Sequence, residues 1–211
     1  QVPERDTKSK PLFLIARSFD INRPGTELDK LHGGVIAGVL KCGKLQIGEE
    51  IEIKPGIYEK KANQMTYTTI KTKIVSIRRG KNRLEKATPG GSLAIETELD
   101  NILTKTDALA GCVASTAGEL PDITDKIKIN FDLFPEVFGM QEKTKVEPLK
   151  PSELVMLSIN TAITVGMIKT IKNNEAEINL RIPIVPLKSE GIGIARNINN
   201  HWRLVGFGKL A

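Results

Sequence analysis

Apolar positions recur at every second residue along this chain, in short runs that Gly or Pro closes off. In Lys126-Ile127-Lys128-Ile129-Asn130-Phe131-Asp132-Leu133 the alternation is complete. It predicts a half-buried strand with Ile127, Ile129, Phe131 and Leu133 facing inward. Further β-branched runs cover residues 11–21, 33–45, 49–54, 69–79 and 91–97, and a second series covers 126–134, 153–171, 175–186, 191–197 and 201–210. No window holds an apolar stripe at i, i+3, i+4 over a helical length, so alternating βα units around a parallel sheet are set aside. Strands spaced about 8–12 residues apart predict an all-β barrel or sandwich architecture.

One strand series ends before Gly118-Glu119-Leu120-Pro121, and the next begins after it. A boundary placed there divides the chain into 1–118 and 119–211, each about the size of a small domain with its own core. Residues 56–69 (GIYEKKANQMTYTT) are polar and without clear period, and predict a long hairpin loop projecting from the first barrel; 139–151 are their counterpart in the second. No internal repeat, low-complexity tract or heptad pattern is present.

The composition is that of an ordinary globular chain: 211 residues, 40% hydrophobic and 27% charged, with 18 Gly, 11 Pro and 2 Cys. Cys42 and Cys112 are too few for a disulfide framework. With only His32 and His201 besides, and no CxxC pair, a four-ligand zinc site is not expected. No apolar run approaches the ~20 residues that cross a bilayer as a helix, and the first residues lack an apolar signal core, so a cytoplasmic protein without a membrane role is expected. The start at Gln1 suggests processing or a piece of a longer chain.

The net charge of +6 is unevenly placed, because residues 1–118 hold 19 Lys and Arg against 14 Asp and Glu, and residues 119–211 hold 12 against 11. Lys71, Lys73, Arg78, Arg79, Lys81, Arg83 and Lys86 face one nearby acid, Glu85, a density that attracts a polyanion through counterion release. The same residues also fit a solvated hairpin whose lysines keep an edge strand soluble. No Tyr or Phe interleaves with these bases, so stacking on single strands is not expected.

No catalytic constellation emerges. His32 and His201 fall in different halves, Ser76 lies in no GxSxG elbow, and Cys42 sits between Lys41 and Gly43 without a nucleophile signature. There is no GxxxxGK[ST] and no GxGxxG opening a helix, so nucleotide triphosphate binding of the usual kind is absent. Alternation along Glu49-Glu50-Ile51-Glu52-Ile53 sends Glu50 and Glu52 to one face, which reads as a solvated strand face. Arg23-Pro24-Gly25-Thr26 and Pro89-Gly90-Gly91 are turn chemistry.

Several ordered motifs carry a resemblance. Arg17-Ser18-Phe19-Asp20-Ile21-Asn22-Arg23-Pro24-Gly25-Thr26, Leu31-His32-Gly33-Gly34-Val35 and Gly48-Glu49-Glu50-Ile51-Glu52-Ile53-Lys54-Pro55-Gly56 are followed by Lys73-Ile74-Val75-Ser76, Pro89-Gly90-Gly91 and Leu103-Thr104-Lys105-Thr106-Asp107. Lys145-Val146-Glu147-Pro148-Leu149 and Trp202-Arg203-Leu204-Val205-Gly206-Phe207-Gly208 complete the series. In this order they resemble the gamma-subunit family of translation initiation factor 2 of archaea and eukaryotes, with an archaeal spelling, over essentially the whole chain.

The resemblance implies two consecutive antiparallel β-barrels of the elongation factor Tu domain II and domain III type, without the family's GTPase domain. GTP and Mg then belong to the full-length protein, and the fragment has no catalysis of its own. In the family the gamma subunit carries methionylated initiator tRNA to the small ribosomal subunit, with the alpha subunit on domain II and the beta subunit on the GTPase domain. By that analogy the aminoacyl end lies against Arg17, Ser18 and Phe19 and the turn Ala94-Ile95-Glu96-Thr97, and Gly33 and Gly34 let the nucleotide approach the backbone. Arg17 equally fits a pair with Asp20 or a neighbouring strand, and Phe19 a core position. Asp100, Asp107 and the loop before Thr69 are the candidate alpha-docking residues, and Lys71, Lys73, Arg78, Arg79 and Arg83 an electrostatic RNA surface. Glu96 departs from the family's Gly-Val-Gly-Thr and places an acid near the RNA end, either as an acceptor for ribose hydroxyls or as a sign that the pocket maps differently. The rival readings are the barrels of a selenocysteine-specific or other elongation-type GTPase, and a free-standing RNA-binding barrel protein.

Overall fold

The computed structural model describes residues 4–61, 64–140, 143–187 and 191–211. The chain divides into two compact units, Gln1–Leu120 and Pro121–Ala211, each built around its own apolar cluster.

The first unit contains β1 (Leu12–Phe19), β2 (Val35–Cys42), β3 (Leu45–Gln46), β4 (Glu50–Lys61), β5 (Gln64–Arg79), β6 (Asn82–Leu84), β7 (Lys86–Ala87), β8 (Ser92–Thr97) and β9 (Val113–Thr116). Six of them close an antiparallel ring in the order β4-β9-β1-β2-β8-β5, with β6 added to β5 and β3 paired separately with β7. Closure follows from side-chain period. Ser18, Ile36, Ile95, Ile77 and Leu84 stand opposite one another across five strands and form one inward row. Ile36, Ile77 and Ile95 are fully buried. The residues on either side of that row lie on the outer face, where Arg17, Arg78 and Arg83 are exposed and Val35 and Ser76 are covered.

The second unit contains β10 (Thr124–Leu133), β11 (Leu154–Ile159), β12 (Ala162–Lys172), β13 (Glu175–Ile184), β14 (Gly191–Ile198) and β15 (His201–Leu210). They form a closed barrel in the order β10-β13-β12-β11-β14-β15. Ile127, Ile178 and Ile168 align across three strands inside it, as the alternation of β10 predicts. Residues 143–150 pack over this barrel through buried Val146 and Leu149. Arg196 holds the segment by donating to the carbonyls of Glu147 and Pro148, while Glu153 pairs with its guanidinium.

The structure corrects several expectations. Residues 56–69 are not a loop: β4 and β5 continue through them, pairing Ile57 with Thr68 and Tyr58 with Tyr67, and residues 62–63 lie outside the described residues. Beyond Ile57, which packs against the core, its described residues Tyr58, Glu59, Thr66, Thr68 and Thr69 are exposed and carry no apolar period, Tyr58 at 57%. The run 153–171 is two strands joined at Asn160-Thr161, where Asn160 adopts φ 55°. Glu52 is not solvated; it is 3% exposed and accepts the Leu120 N–H at 2.7 Å. The 139–151 segment is a loop, as expected, with Lys145 in an isolated bridge to Glu136; residues 141–142 lie outside the described residues.

Candidate functional site

A cleft of about 550 Å³ opens on the first unit, lined among others by Leu31, His32, Val75, Glu96, Leu99 and Asp100. Register sets the neighbours of Glu96, which lines it. Val35, Glu96 and Ser76 stand opposite one another on β2, β8 and β5, on the outward face. The Glu96 carboxylate accepts from the Ser76 hydroxyl at 2.7 Å through one oxygen and lies 2.8 Å from His32 Nδ1 through the other. Burial alone would raise the Glu96 pKa, but the bonds from Ser76 and His32 and the charges of His32 and Arg78 outweigh it and hold the group below its ordinary value. An ionised carboxylate only accepts, so His32 donates its Nδ1 proton to Glu96.

Two glycines bring the strand entry against this cleft. A Cβ on Gly33 would stand 1.9 Å from the Thr97 carbonyl oxygen, and one on Gly34 would stand 2.4 Å from Thr104 Cγ2. Both close approaches are to the chain itself, which accounts for the glycines without a nucleotide. Gly34 also donates to the Leu99 carbonyl, and its own carbonyl accepts from the Thr97 N–H and hydroxyl.

The other sequence-predicted residues fall into distinct places. Ser18 is buried; its hydroxyl accepts the Leu109 N–H at 3.0 Å, and its own N–H donates to Asp107. Arg17 is exposed and donates through Nε to both Asp107 oxygens, not to Asp20, whose partners are Asn22 and Lys105. Those bonds raise the Arg17 pKa and lower that of Asp107. Asp100 accepts the Ile102 N–H and so caps the 3₁₀ segment Asn101–Asp107. Phe19 is partly exposed beside Val35, Ala94 is half-buried, and Ile95 and Thr97 are fully buried in the barrel wall.

The basic cluster divides. Arg78 and Arg83 are exposed, opposite each other on β5 and β6. Arg79 turns to the Thr88 carbonyl. Lys71 and Lys73 lie beyond a register shift, opposite Glu52 and Glu50.

His32 and Ser76 are the residues that sequence reasoning did not place in the site. His32 and Glu96 are 64 residues apart, and only the register of β2 with β8 joins them. Among the described residues no group of three or more His, Cys, Asp or Glu side chains could hold a metal ion.

Residues 125–210 match the family model "Initiation factor eIF2 gamma, C terminal". The chain is 43% identical over 206 residues to the translation initiation factor 2 subunit gamma of Methanococcus maripaludis, covering 98% of this chain and 50% of that protein. The subunits of the same name from Methanocaldococcus jannaschii and Thermococcus onnurineus are 43% and 41% identical, over 99% and 98% of this chain and 51% and 50% of theirs. The chain thus spans about half the length of these relatives. Over the half it shares with them, ordered as two closed antiparallel barrels, this chain belongs to the gamma-subunit family of translation initiation factor 2.

Proposed function

We propose that the chain serves translation initiation as the non-catalytic barrel part of a gamma subunit, and that the cleft of the first unit receives the 3′-terminal nucleoside of initiator tRNA. The observation that carries this reading is that His32 and Glu96 line the cleft as a bonded pair, with Ser76 holding Glu96 from behind. Glu96, Glu98 and Asp100 make the lining acidic, so it repels phosphate and suits a neutral ribose or base that donates hydrogen bonds. Glu96 keeps lone pairs beyond those used by Ser76 and His32 and can accept from a ribose hydroxyl or a base N–H. Leu31, Val75 and Leu99 supply apolar walls for a base.

The alpha subunit is the partner proposed for the rim of this unit. Asp100 and Asp107 are engaged within the chain, whereas Leu28 and Ile102, on the 3₁₀ segments Leu28–Lys30 and Asn101–Asp107, are 87% and 65% exposed. Exposed apolar side chains beside a polar rim suit a protein partner. Delivery to the small ribosomal subunit, the beta subunit and GTP with Mg belong to this proposal through the half of the relatives that the chain does not span.

Filter binding of methionylated initiator and elongator tRNA by the full-length protein tests it. Glu96→Gln and Ser76→Ala are expected to weaken initiator tRNA binding about tenfold each, the scale of a lost charge-assisted bond. Unchanged binding in both variants contradicts the placement of the tRNA end.

A further inference from the structure

Two arginines stand opposite each other on β14 and β15 of the second barrel, Arg196 and Arg203, close to the turn at Asn199-Asn200. The fold treats them differently. Arg196 is saturated: it bonds both Glu153 oxygens and donates to the Glu147 and Pro148 carbonyls. The Arg203 side chain makes no hydrogen bond or ion pair with the described residues, and its Nε is buried without a partner. A guanidinium is a permanent cation with five N–H donors, and folded chains seldom leave a buried donor unpaired.

The chain after β10 shapes the surroundings of this group. Phe134 and Phe138 donate their N–H groups to the Val205 and Leu204 carbonyls, which brings residues 134–139 beside β15. Gly139 then meets the guanidinium. A Cβ there would stand 3.2 Å from Arg203 Nη1, and the φ of 79° is one that other side chains rarely adopt. The missing side chain leaves room beside the Nη fork. Of the three nitrogens only Nε is enclosed, so the stem is held while the fork meets solvent.

We infer that Arg203 is a receptor for a carboxylate carried by a protein partner, taken by the fork of its Nη nitrogens while the enclosed Nε fixes the plane of the group. The ligand class follows from the surroundings. Phe138, Trp202 and Leu204, the chain neighbours of Gly139 and Arg203, are exposed apolar side chains. Residues 119–211 hold 12 Lys and Arg against 11 Asp and Glu, so no cationic field draws a polyphosphate to this unit. One planar fork among apolar side chains suits an aspartate or glutamate set in an apolar segment. The inference is independent of the cleft in the first unit.

NMR detection of arginine Nε–H groups in the 211-residue chain tests it, with phenylacetate as the probe because it joins a carboxylate to an apolar ring. Phenylacetate is expected to move the Arg203 Nε resonance to saturation, with an affinity about tenfold above that of neutral phenylacetamide, and to leave Arg196 Nε in place. Arg203→Lys keeps the charge without the fork and is expected to weaken binding of the probe about tenfold. Arg203→Met is expected to abolish binding and to lower the thermal midpoint less than Arg196→Met, since it removes a charge that the fold leaves uncompensated. An unmoved Arg203 resonance, an equal response to phenylacetamide, or tighter binding of inorganic phosphate than of phenylacetate overturns the assignment. So does a fall in the Arg203→Met midpoint as large as that of Arg196→Met, which would make Arg203 a structural latch.

Discussion

Arg17 and Asp107 lie 90 residues apart in the chain, yet Arg17 Nε reaches both Asp107 carboxylate oxygens at 2.8 and 2.9 Å. Asp107 also accepts the Ser18 N–H at 3.0 Å, and it follows Thr106 in a left-handed turn with φ values of 58° and 55°. One side chain therefore ties the end of the 3₁₀ segment Asn101–Asp107 to β1, from a backbone conformation that Asp tolerates better than most residues. Asp107→Ala removes the clamp and keeps the unfavourable φ, whereas Asp107→Gly removes the clamp and relieves it. Thermal unfolding is expected to rank wild type above Asp107→Gly and Asp107→Gly above Asp107→Ala, with faster hydrogen exchange at the Ser18 amide in both. Parent-like exchange at Ser18 contradicts the clamp.

The same pair predicts a pH response. The hydrogen bond from Arg17, then that from the Ser18 amide, holds the Asp107 pKa below the usual aspartate value of 3.8. A carboxyl depressed on folding contributes stability that is complete above its unfolded pKa and is lost as pH falls through the lower folded one. The Asp107 carboxyl carbon, followed by NMR, is therefore expected to titrate below 3.8, and Arg17→Gln to move the midpoint upward. A midpoint unmoved by Arg17→Gln shows that the pair does not operate in solution.

Gly33 offers a steric test. Its missing Cβ would meet the Thr97 carbonyl oxygen at 1.9 Å, and backbone on both sides resists adjustment. Gly33→Ala is expected to destabilise by about 1–3 kcal/mol, the scale of an overpacked site. At Gly193 the nearest atoms to an added Cβ, Leu204 Cδ1 and Ser158 Cβ, are 3.6 Å away, and Gly193→Ala is expected to stay within about 0.5 kcal/mol of the parent. Denaturant midpoints at constant m-value decide between them.

Arg196 is the corresponding test in the second unit. It combines a two-point bond to Glu153 with donations to the Glu147 and Pro148 carbonyls at 3.0 and 3.1 Å, in side chains 17% and 19% exposed. Arg196→Lys keeps the charge but not the fork that reaches all four acceptors, and is expected to cost about 1–3 kcal/mol. Limited proteolysis is expected to cut first within 143–150. Cleavage at the parent's rate there contradicts the latch.

The barrels were legible because their inward rows are apolar and their outward rows are not. Ile127, Ile129 and Phe131 could be assigned to the core of the second unit from alternation alone, and they are buried. The 56–69 hairpin carries no such signal because its described outer residues, Tyr58, Glu59, Thr66 and Thr68, are exposed. The 153–171 run was read as one strand because its two-residue turn, Asn160-Thr161, lacks Gly or Pro. The resemblance brought Glu96 to notice, but not its partners: His32 and Ser76 reach it only through the pairing of β2 and β5 with β8, which includes a register shift between Ile74 and Ser76. Likewise the basic stretch gave the charge density of the surface but not its division: Arg78 and Arg83 are exposed opposite each other, Arg79 turns to the Thr88 carbonyl, and Lys71 and Lys73 lie beyond a register shift.

The central claim is that the outer face of the first unit, at the His32–Glu96–Ser76 cleft, receives the 3′ end of an RNA. Amide chemical-shift mapping of the isotopically labelled chain with a short single-stranded RNA bearing a free 3′ end tests it most directly. The account predicts that shifts concentrate at residues 31–34, 75–76 and 94–101 and fade when the terminal ribose is removed. Shifts confined to residues 126–210, or indifferent to the terminal ribose, would contradict it.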